Sequence, residues 1–170
     1  MNKRTFDKVW EQTRQKYGVY LRVLEAIPDD KFQSTPIPGM RTTAALVTHV
    51  SGAIVKEIAE GVARGEIRSP NPSEAETAAR ITSKAKAIAF AKECWDAADE
   101  AVRSIGDEEL AATVVTPWNM SFPGWVALNI LGDEFLHHRG QLYAYARASG
   151  GAPPFLWSFG ENAPEFAPRG

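Results

Sequence analysis

The chain has 170 residues, a formal net charge of −2 and no block rich in lysine or arginine. This length is enough for one domain with a proper core, and the charge offers no electrostatic surface to nucleic acid or to an anionic membrane. No window reaches the apolar length of a membrane span and the charged N-terminus lacks an apolar signal region, so we expect a cytoplasmic protein.

Cys94 is the only cysteine, which excludes an intrachain disulfide and a metal site built on several thiolates. It lies in an alanine-rich helical pattern. We therefore interpret Cys94 as a small buried hydrophobic residue rather than as a reactive thiol.

The first two helices are indicated by apolar residues at spacings of three and four. The first should end near Ile27, because proline at position 28 cannot continue a helix. After a proline-rich loop, Thr42 or Thr43 is the expected N-cap of the second helix. His49 lies on the apolar face of this second helix, which is its most informative property.

The third helix is predicted to end at Gly106, and the fourth to begin with Ser121 as its cap and Pro123 in its first turn. The pair Gly150-Gly151 should stop the fourth helix. The predicted helices cover roughly residues 5–27, 42–62, 77–105 and 121–149, followed by an irregular tail over 150–170. No strand pattern is evident, so the sequence predicts a single all-α domain over 1–170, an antiparallel four-helix bundle whose up-and-down order stays open.

Two of the three histidines lie in the run Asp133-Glu134-Phe135-Leu136-His137-His138-Arg139-Gly140-Gln141-Leu142. In a helix, Glu134 and His138 project from one face, and Asp133 and His137 from a face rotated by about 100°. The apolar stripe of the fourth helix includes Glu134 and His138 and leaves the other pair toward its edge. With His49, they predict a divalent metal site with open coordination positions.

Each of these residues also has a structural explanation. A histidine on an apolar face is often a hydrogen-bonded core residue, and Glu134 with His138 is an ordinary i, i+4 contact. Arg139 and Gln141 are compatible with solvated or ion-paired side chains. A di-iron carboxylate centre would need a second Glu-x-x-His motif, and Leu46 stands where that glutamate would precede His49.

The His137-His138-Arg139-Gly140-Gln141 run, the helix of His49 and the approach from Pro36 to Thr42 together resemble the DinB-like superfamily. This group includes damage-inducible, YfiT-like proteins of unknown function and thiol-dependent transferases and isomerases. The resemblance extends from the first helix to about Tyr145. It implies a four-helix bundle, commonly a homodimer, with one divalent metal held by His49, Glu134 and His138.

Many members of that family carry a histidine at the position of Glu134. The glutamate keeps a ligand there but makes the site harder and more anionic, so zinc or nickel is expected first, with iron and manganese also compatible. Activity, more than metal binding, is put in doubt by this departure.

Two functional hypotheses follow. The first is a metal-dependent hydrolase or thiol S-transferase acting on a small molecule, in which His137, Asp133, Asn119, Tyr143 or Arg139 orients the substrate or moves a proton. The second is a non-catalytic, dimeric stress-response module with a structural or sensory metal. The dimer expectation rests on the resemblance and on the number of tryptophans, which include Trp10, Trp95, Trp125 and Trp157.

Overall fold

A computed structural model describes residues 1–169 as a mostly helical protein with one small two-stranded sheet. The helices, in chain order, are α1 (Lys3–Ala26), α2 (Thr43–Thr48), α3 (Glu57–Arg64), α4 (Glu74–Arg80), α5 (Lys84–Ser104), α6 (Asp107–Ala111) and α7 (Gly124–Ala148). Strands β1 (Thr113–Val115) and β2 (Ser121–Pro123) lie between α6 and α7. Among these residues, no helix is both long and apolar enough to span a membrane.

Helix α1 begins at Lys3 because the side chain of Asn2 accepts a hydrogen bond from the backbone N–H of Thr5 at 2.9 Å. It ends before Pro28, as predicted. Its buried face carries Trp10 and Tyr17, which pack on Trp95 of α5 with ring centroids 4.9 and 4.7 Å away. Tyr17 also stacks on Phe135 of α7, so one aromatic cluster joins the three longest helices.

The second predicted helix starts as expected, with the Thr42 side chain accepting from the N–H of Ala45 at 3.2 Å. It is not a uniform α-helix, however, because a π-helical segment, His49–Lys56, separates α2 from α3. π-Helical turns are rare and occur frequently at functional sites. The segment therefore draws attention to His49, its first residue.

The third predicted helix is interrupted. Its first part is α4, capped by Ser73 and Glu76 in a reciprocal capping box, and it stops at Ile81. The second part is α5, whose N-cap is Ser83. The Ser83 side chain accepts a hydrogen bond from the backbone N–H of Lys86. The break frees α4 to pack against α2 rather than continue the line of α5.

The expectation that the chain has no strands, with Ser121 as the cap of the last helix, is wrong. Strands β1 and β2 pair in antiparallel register, with Val114 opposite Phe122. The residues that were expected to form the first helical turn are therefore in β2, and α7 begins at Gly124 directly after Pro123. Three-residue strands are too short to produce a readable alternation in sequence.

Candidate functional site

His49 and His138 meet inside the helical assembly, as the sequence predicted. Their rings are 4.8 Å apart between centroids and nearly perpendicular, with an interplanar angle of 85°. The side chains are 19% and 13% exposed. The π-helical segment and α7 thus bring together two imidazoles from distant parts of the sequence.

His49 is held by a carboxylate that the sequence analysis did not identify. Its Nδ1 atom lies 3.0 Å from Oε2 of Glu74, the first residue of α4, and Nη1 of Arg41 lies 3.5 Å from the same oxygen. The hydrogen bond from His49, followed by nearby positive charge, lowers the pKa of Glu74 despite its partial burial. Because an ionised carboxylate only accepts hydrogen bonds, Nδ1 of His49 carries a proton, and in the neutral tautomer Nε2 is the atom that can bind a cation.

One signal in the sequence could have found Glu74. The pattern Ser73-x-x-Glu76 is a capping box, and it places a helix start at residue 74. The helix was instead expected to begin at about residue 77, which left Glu74 outside it. The proximity of Glu74 to His49 depends on tertiary packing, which no local sequence pattern predicts.

His138 is oriented by Gln141, one turn further along α7. Its Nδ1 atom lies 3.0 Å from the amide oxygen of Gln141, whose Nε2 lies 3.0 Å from Nε2 of His137. The amide therefore accepts from His138 and donates to His137, which leaves Nε2 of neutral His138 as an acceptor. Gln141 is thus an orienting residue rather than the solvated or ion-paired side chain considered from sequence.

Glu134 approaches His138 as an i, i+4 neighbour, with its Oε2 atom 3.3 Å from Nε2 of His138. Burial lowers the pKa of His138 and favours its neutral form. In that form two acceptor atoms face each other with no proton between them. The expectation that Glu134 would be set among buried residues is only partly right, because its side chain is 46% exposed.

The donor chemistry of these residues suits a divalent cation. Histidine ligands of metals usually donate their second ring N–H to a carboxylate or carbonyl oxygen, and here Glu74 and Gln141 accept from His49 and His138. The side chains of the three predicted ligands, His49, Glu134 and His138, do not surround a common point. Within residues 1–169, no group of three or more His, Cys, Asp or Glu side chains is arranged to hold a metal ion.

Two predicted auxiliary residues, Asp133 and His137, are exposed on α7. Asp133 accepts a hydrogen bond from Nδ2 of Asn129 at 3.2 Å and lines a groove between α1 and α7. The His137 ring lies 4.8 Å from that of His138, between centroids. His137 is therefore close to the histidine pair, whereas Asp133 belongs to a different surface.

Asn119 is not close to the histidine pair. It lies in the turn between β1 and β2 with φ of +61°, a left-handed conformation that asparagine tolerates better than most residues. His138 comes fourteen residues after the start of α7, about 21 Å along its axis at 1.5 Å per residue. A turn role explains Asn119 without any contact to the histidines.

Arg139 and Tyr143 lie on another face of α7 from His138, since successive helical residues are rotated by about 100°. The interpretation of Arg139 as solvated or ion-paired is wrong, because the residue is 6% exposed and has no carboxylate partner among residues 1–169. The Tyr143 hydroxyl is also buried without a hydrogen-bond partner in this part of the chain. Neither side chain is therefore in a position to orient a substrate or move a proton beside His49.

The model of the DinB superfamily matches residues 12–142 of the chain. No curated protein matches it in sequence. Among solved structures, it is similar to a DinB-like protein of Bacillus subtilis, with a TM-score of 0.66, 18% identity, and coverage of 84% of this chain and 92% of that one. A DinB-like protein of Bacillus cereus gives a TM-score of 0.69 and 19% identity over 88% of this chain and 95% of that one.

A mycothiol-dependent maleylpyruvate isomerase is a more remote structural neighbour. Its TM-score is 0.55 and its identity 14%, over 92% of this chain. The chain spans 65% of the isomerase's length. At these identities the likeness concerns the fold.

Proposed function

The chain belongs to the DinB superfamily, and from this membership we propose that it binds one divalent metal ion through His49, His138 and Glu134 and acts as a metal-dependent hydrolase or thiol S-transferase. Zinc and nickel suit the two imidazoles and one carboxylate first, and iron and manganese also fit. The proposed architecture is the antiparallel four-helix bundle of this superfamily.

One observation carries the proposal: the acceptor Nε2 of His138 faces the carboxylate of Glu134 at 3.3 Å while the ring of His49 packs against it. Two lone-pair donors at this separation repel unless a proton or a cation lies between them. The half-exposed side chain of Glu134 keeps rotamer freedom to complete the coordination, whereas the histidines are fixed by Glu74 and Gln141.

Held by these three side chains, a divalent ion would supply Lewis-acid chemistry that lowers the pKa of water or of a thiol toward about 7. The residues of the chain would hold this ion and set its orientation. Glu74 and Gln141 would fix the tautomers and ring orientations of His49 and His138, and exposed His137 would exchange a proton with solvent. Because one structural neighbour is a mycothiol-dependent isomerase, thiols are one class of substrate to assay.

Elemental analysis of protein purified without added metal, followed by reconstitution with zinc and nickel, tests the proposal. We expect one ion per chain in the wild type, loss of the ion in His49→Ala and in His138→Ala, and retention in His137→Ala, the matched exposed histidine. Failure of the wild type to bind any divalent ion, or unchanged metal content in His49→Ala, would refute it.

The alternative is a non-catalytic dimeric module with a structural or sensory metal. The exposed side chains of Trp125, Val9 and Leu136, which line the groove between α1 and α7, favour an apolar contact with a second copy. Thermal melting with and without chelator, beside thiol-transfer and ester-hydrolysis assays, separates the two functions. Strong destabilisation by chelator without turnover supports the module, and sedimentation as a monomer at micromolar concentration removes the dimer.

A further inference from the structure

Arg139 is the charged residue of the His-His-Arg-Gly-Gln run, and the proposed metal site does not explain its position. It is 6% exposed, and its Nη1 atom has no hydrogen-bond partner within residues 1–169. Among the described residues, its guanidinium contacts the ring of Phe135, whose centroid lies 5.9 Å from the guanidinium carbon. A guanidinium stays charged at any physiological pH, so this is a buried and unpaired positive charge.

The surroundings of Arg139 add positive charge. Lys16 of α1 is half-buried, and desolvation followed by repulsion from Arg139 lowers its pKa. Arg147 lies over the ring of Tyr143, 5.6 Å from its centroid. In the C-terminal tail, Glu161 is already paired with Arg22. Cations therefore cluster here in excess of the carboxylates that would balance them.

Arg139 and Tyr143 line an open groove of about 610 Å³ between α7 and the segment that follows it. The other wall is apolar and comes from Pro153, Pro154, Phe155 and Leu156. Phe155 is largely exposed. In the part of the chain that the structure describes, no acidic residue lines the groove, and its volume is that of a typical small-molecule site.

Burying an unpaired charge is costly, and removal of one partner from a buried ion pair leaves such a charge behind. An arginine in this situation is matched best by a carboxylate, which accepts two parallel hydrogen bonds from the guanidinium. The buried hydroxyl of Tyr143 offers one further donor. The apolar wall suits a hydrocarbon or aromatic group beside the carboxylate.

We propose that the groove lined by Arg139, Tyr143 and the Pro153–Leu156 segment binds a small organic carboxylate, with the carboxylate on Arg139 and the apolar part on Phe155. This site is separate from the histidine pair, because Arg139 and His138 leave α7 in different directions. It does not depend on whether a metal binds His49.

The test uses the full chain with chelator present, so that the histidine site cannot bind the probe through a metal. Calorimetry and thermal shift compare 3-phenylpropanoate with its uncharged amide, in the wild type, Arg139→Met and Arg103→Met. Arg103 is the control because it is an exposed arginine of α5 on another surface. We expect the acid to bind the wild type and Arg103→Met, the amide to bind neither, and Arg139→Met to lose at least about tenfold in affinity.

A second variant keeps the proposal open to refutation if Arg139→Met folds poorly. Tyr143→Phe should weaken acid binding several-fold while it preserves the fold. The ligand-free wild type should melt no higher than Arg139→Met, because the variant removes an uncompensated charge. Equal binding of acid and amide, unchanged affinity in both variants, or tighter binding of inorganic phosphate than of the acid would each overturn the carboxylate site. A wild-type dimer that dissociates in Arg139→Met would overturn it as well, since the carboxylate would then belong to a second copy.

Discussion

The Nδ1 atom of His49 lies 3.0 Å from the Oε2 atom of Glu74, so the first residue of a π-helical segment is held by the first residue of a separate short helix. This pairing stabilises one tautomer and one ring orientation of His49. We predict that Glu74→Gln lowers affinity for zinc or nickel by about 10–100-fold, because the charged partner of a ligating histidine is lost. Competition with a chromophoric chelator measures the change.

Glu100→Gln is the control for this experiment, since Glu100 is an exposed carboxylate of α5 that pairs with Arg103. It should leave the affinity unchanged. Equal affinities in the two variants would mean that Glu74 does not support a metal ligand.

A buried hydroxyl network gives a prediction for stability. Ser51, in the π-helical segment, lies 3.0 Å from the hydroxyl of Tyr17 and 2.8 Å from that of Tyr20. Tyr17 also donates to the carbonyl of Ala91, but Tyr20 has no second partner among the described residues. We expect Ser51→Ala to lower the free energy of unfolding by about 1–3 kcal/mol, because the Tyr20 hydroxyl is left buried and unsatisfied.

The control for Ser51→Ala is the double variant that also carries Tyr20→Phe. Urea denaturation measures the free energy of unfolding of the wild type, the two single variants and the double variant. Removing both hydroxyls should cost less than the sum of the two single changes, since the unsatisfied group is gone. Strict additivity would show that the two hydroxyls do not interact.

Two glycines of α7 should respond oppositely to alanine. A Cβ at Gly124 would lie 2.2 Å from the carbonyl oxygen of Glu109, whereas none of the surrounding heavy atoms is within 4 Å of a Cβ at Gly132. Gly124→Ala should destabilise by about 1–3 kcal/mol, because α6 must move. Gly132→Ala should stabilise by roughly 0.5–1 kcal/mol through helix propensity. Thermal melts of the two variants decide, and a stabilising Gly124→Ala would contradict the close packing of α6 on α7.

Cys94 should be unreactive in the folded protein. It is buried, and burial raises the pKa of its thiol to about 12. The thiol therefore stays protonated well above the pH at which an unfolded cysteine ionises, about 8.5. Native protein should not react with a thiol reagent between pH 7 and 9, while protein in guanidinium should react fully. Rapid labelling of the native state would place Cys94 on an accessible surface.

The sequence predicts the parts of this fold that local patterns encode. The apolar stripe of α1, the stop at Pro28 and the Thr42 cap depend on neighbours within a few residues, and the structure agrees with them. The interruption between α4 and α5 is different, because distant Gln33 donates to the carbonyls of Ala78 and Ile81, where α4 ends. The β1–β2 hairpin was missed because its strands are only three residues long. The mainly helical fold and the DinB superfamily were identified correctly.

The candidate site shows the same division. The i, i+4 relation of Glu134 and His138 follows from helix geometry alone, and the apolar face of His49 indicated its approach to them. Glu74 and the burial of Arg139 are tertiary results. The sequence allowed Arg139 to be solvated, ion-paired or an auxiliary residue of the metal site, and it could not show the burial, because a charged side chain is rarely buried without a partner.

The π-helical segment from His49 to Lys56 limits how the histidine pair can be reused in other proteins. If this segment were rebuilt as a regular α-helix, it would contain fewer residues. Each residue removed would rotate the part of the helix beyond it by about 100°. His49 would then face His138 only if Ser51 and the residues after it turned away from Tyr17 and Tyr20. A designer who copied His49, Glu134 and His138 onto an ideal bundle would therefore lose either the site or the core beneath it, and would have to transplant the irregular helix as well.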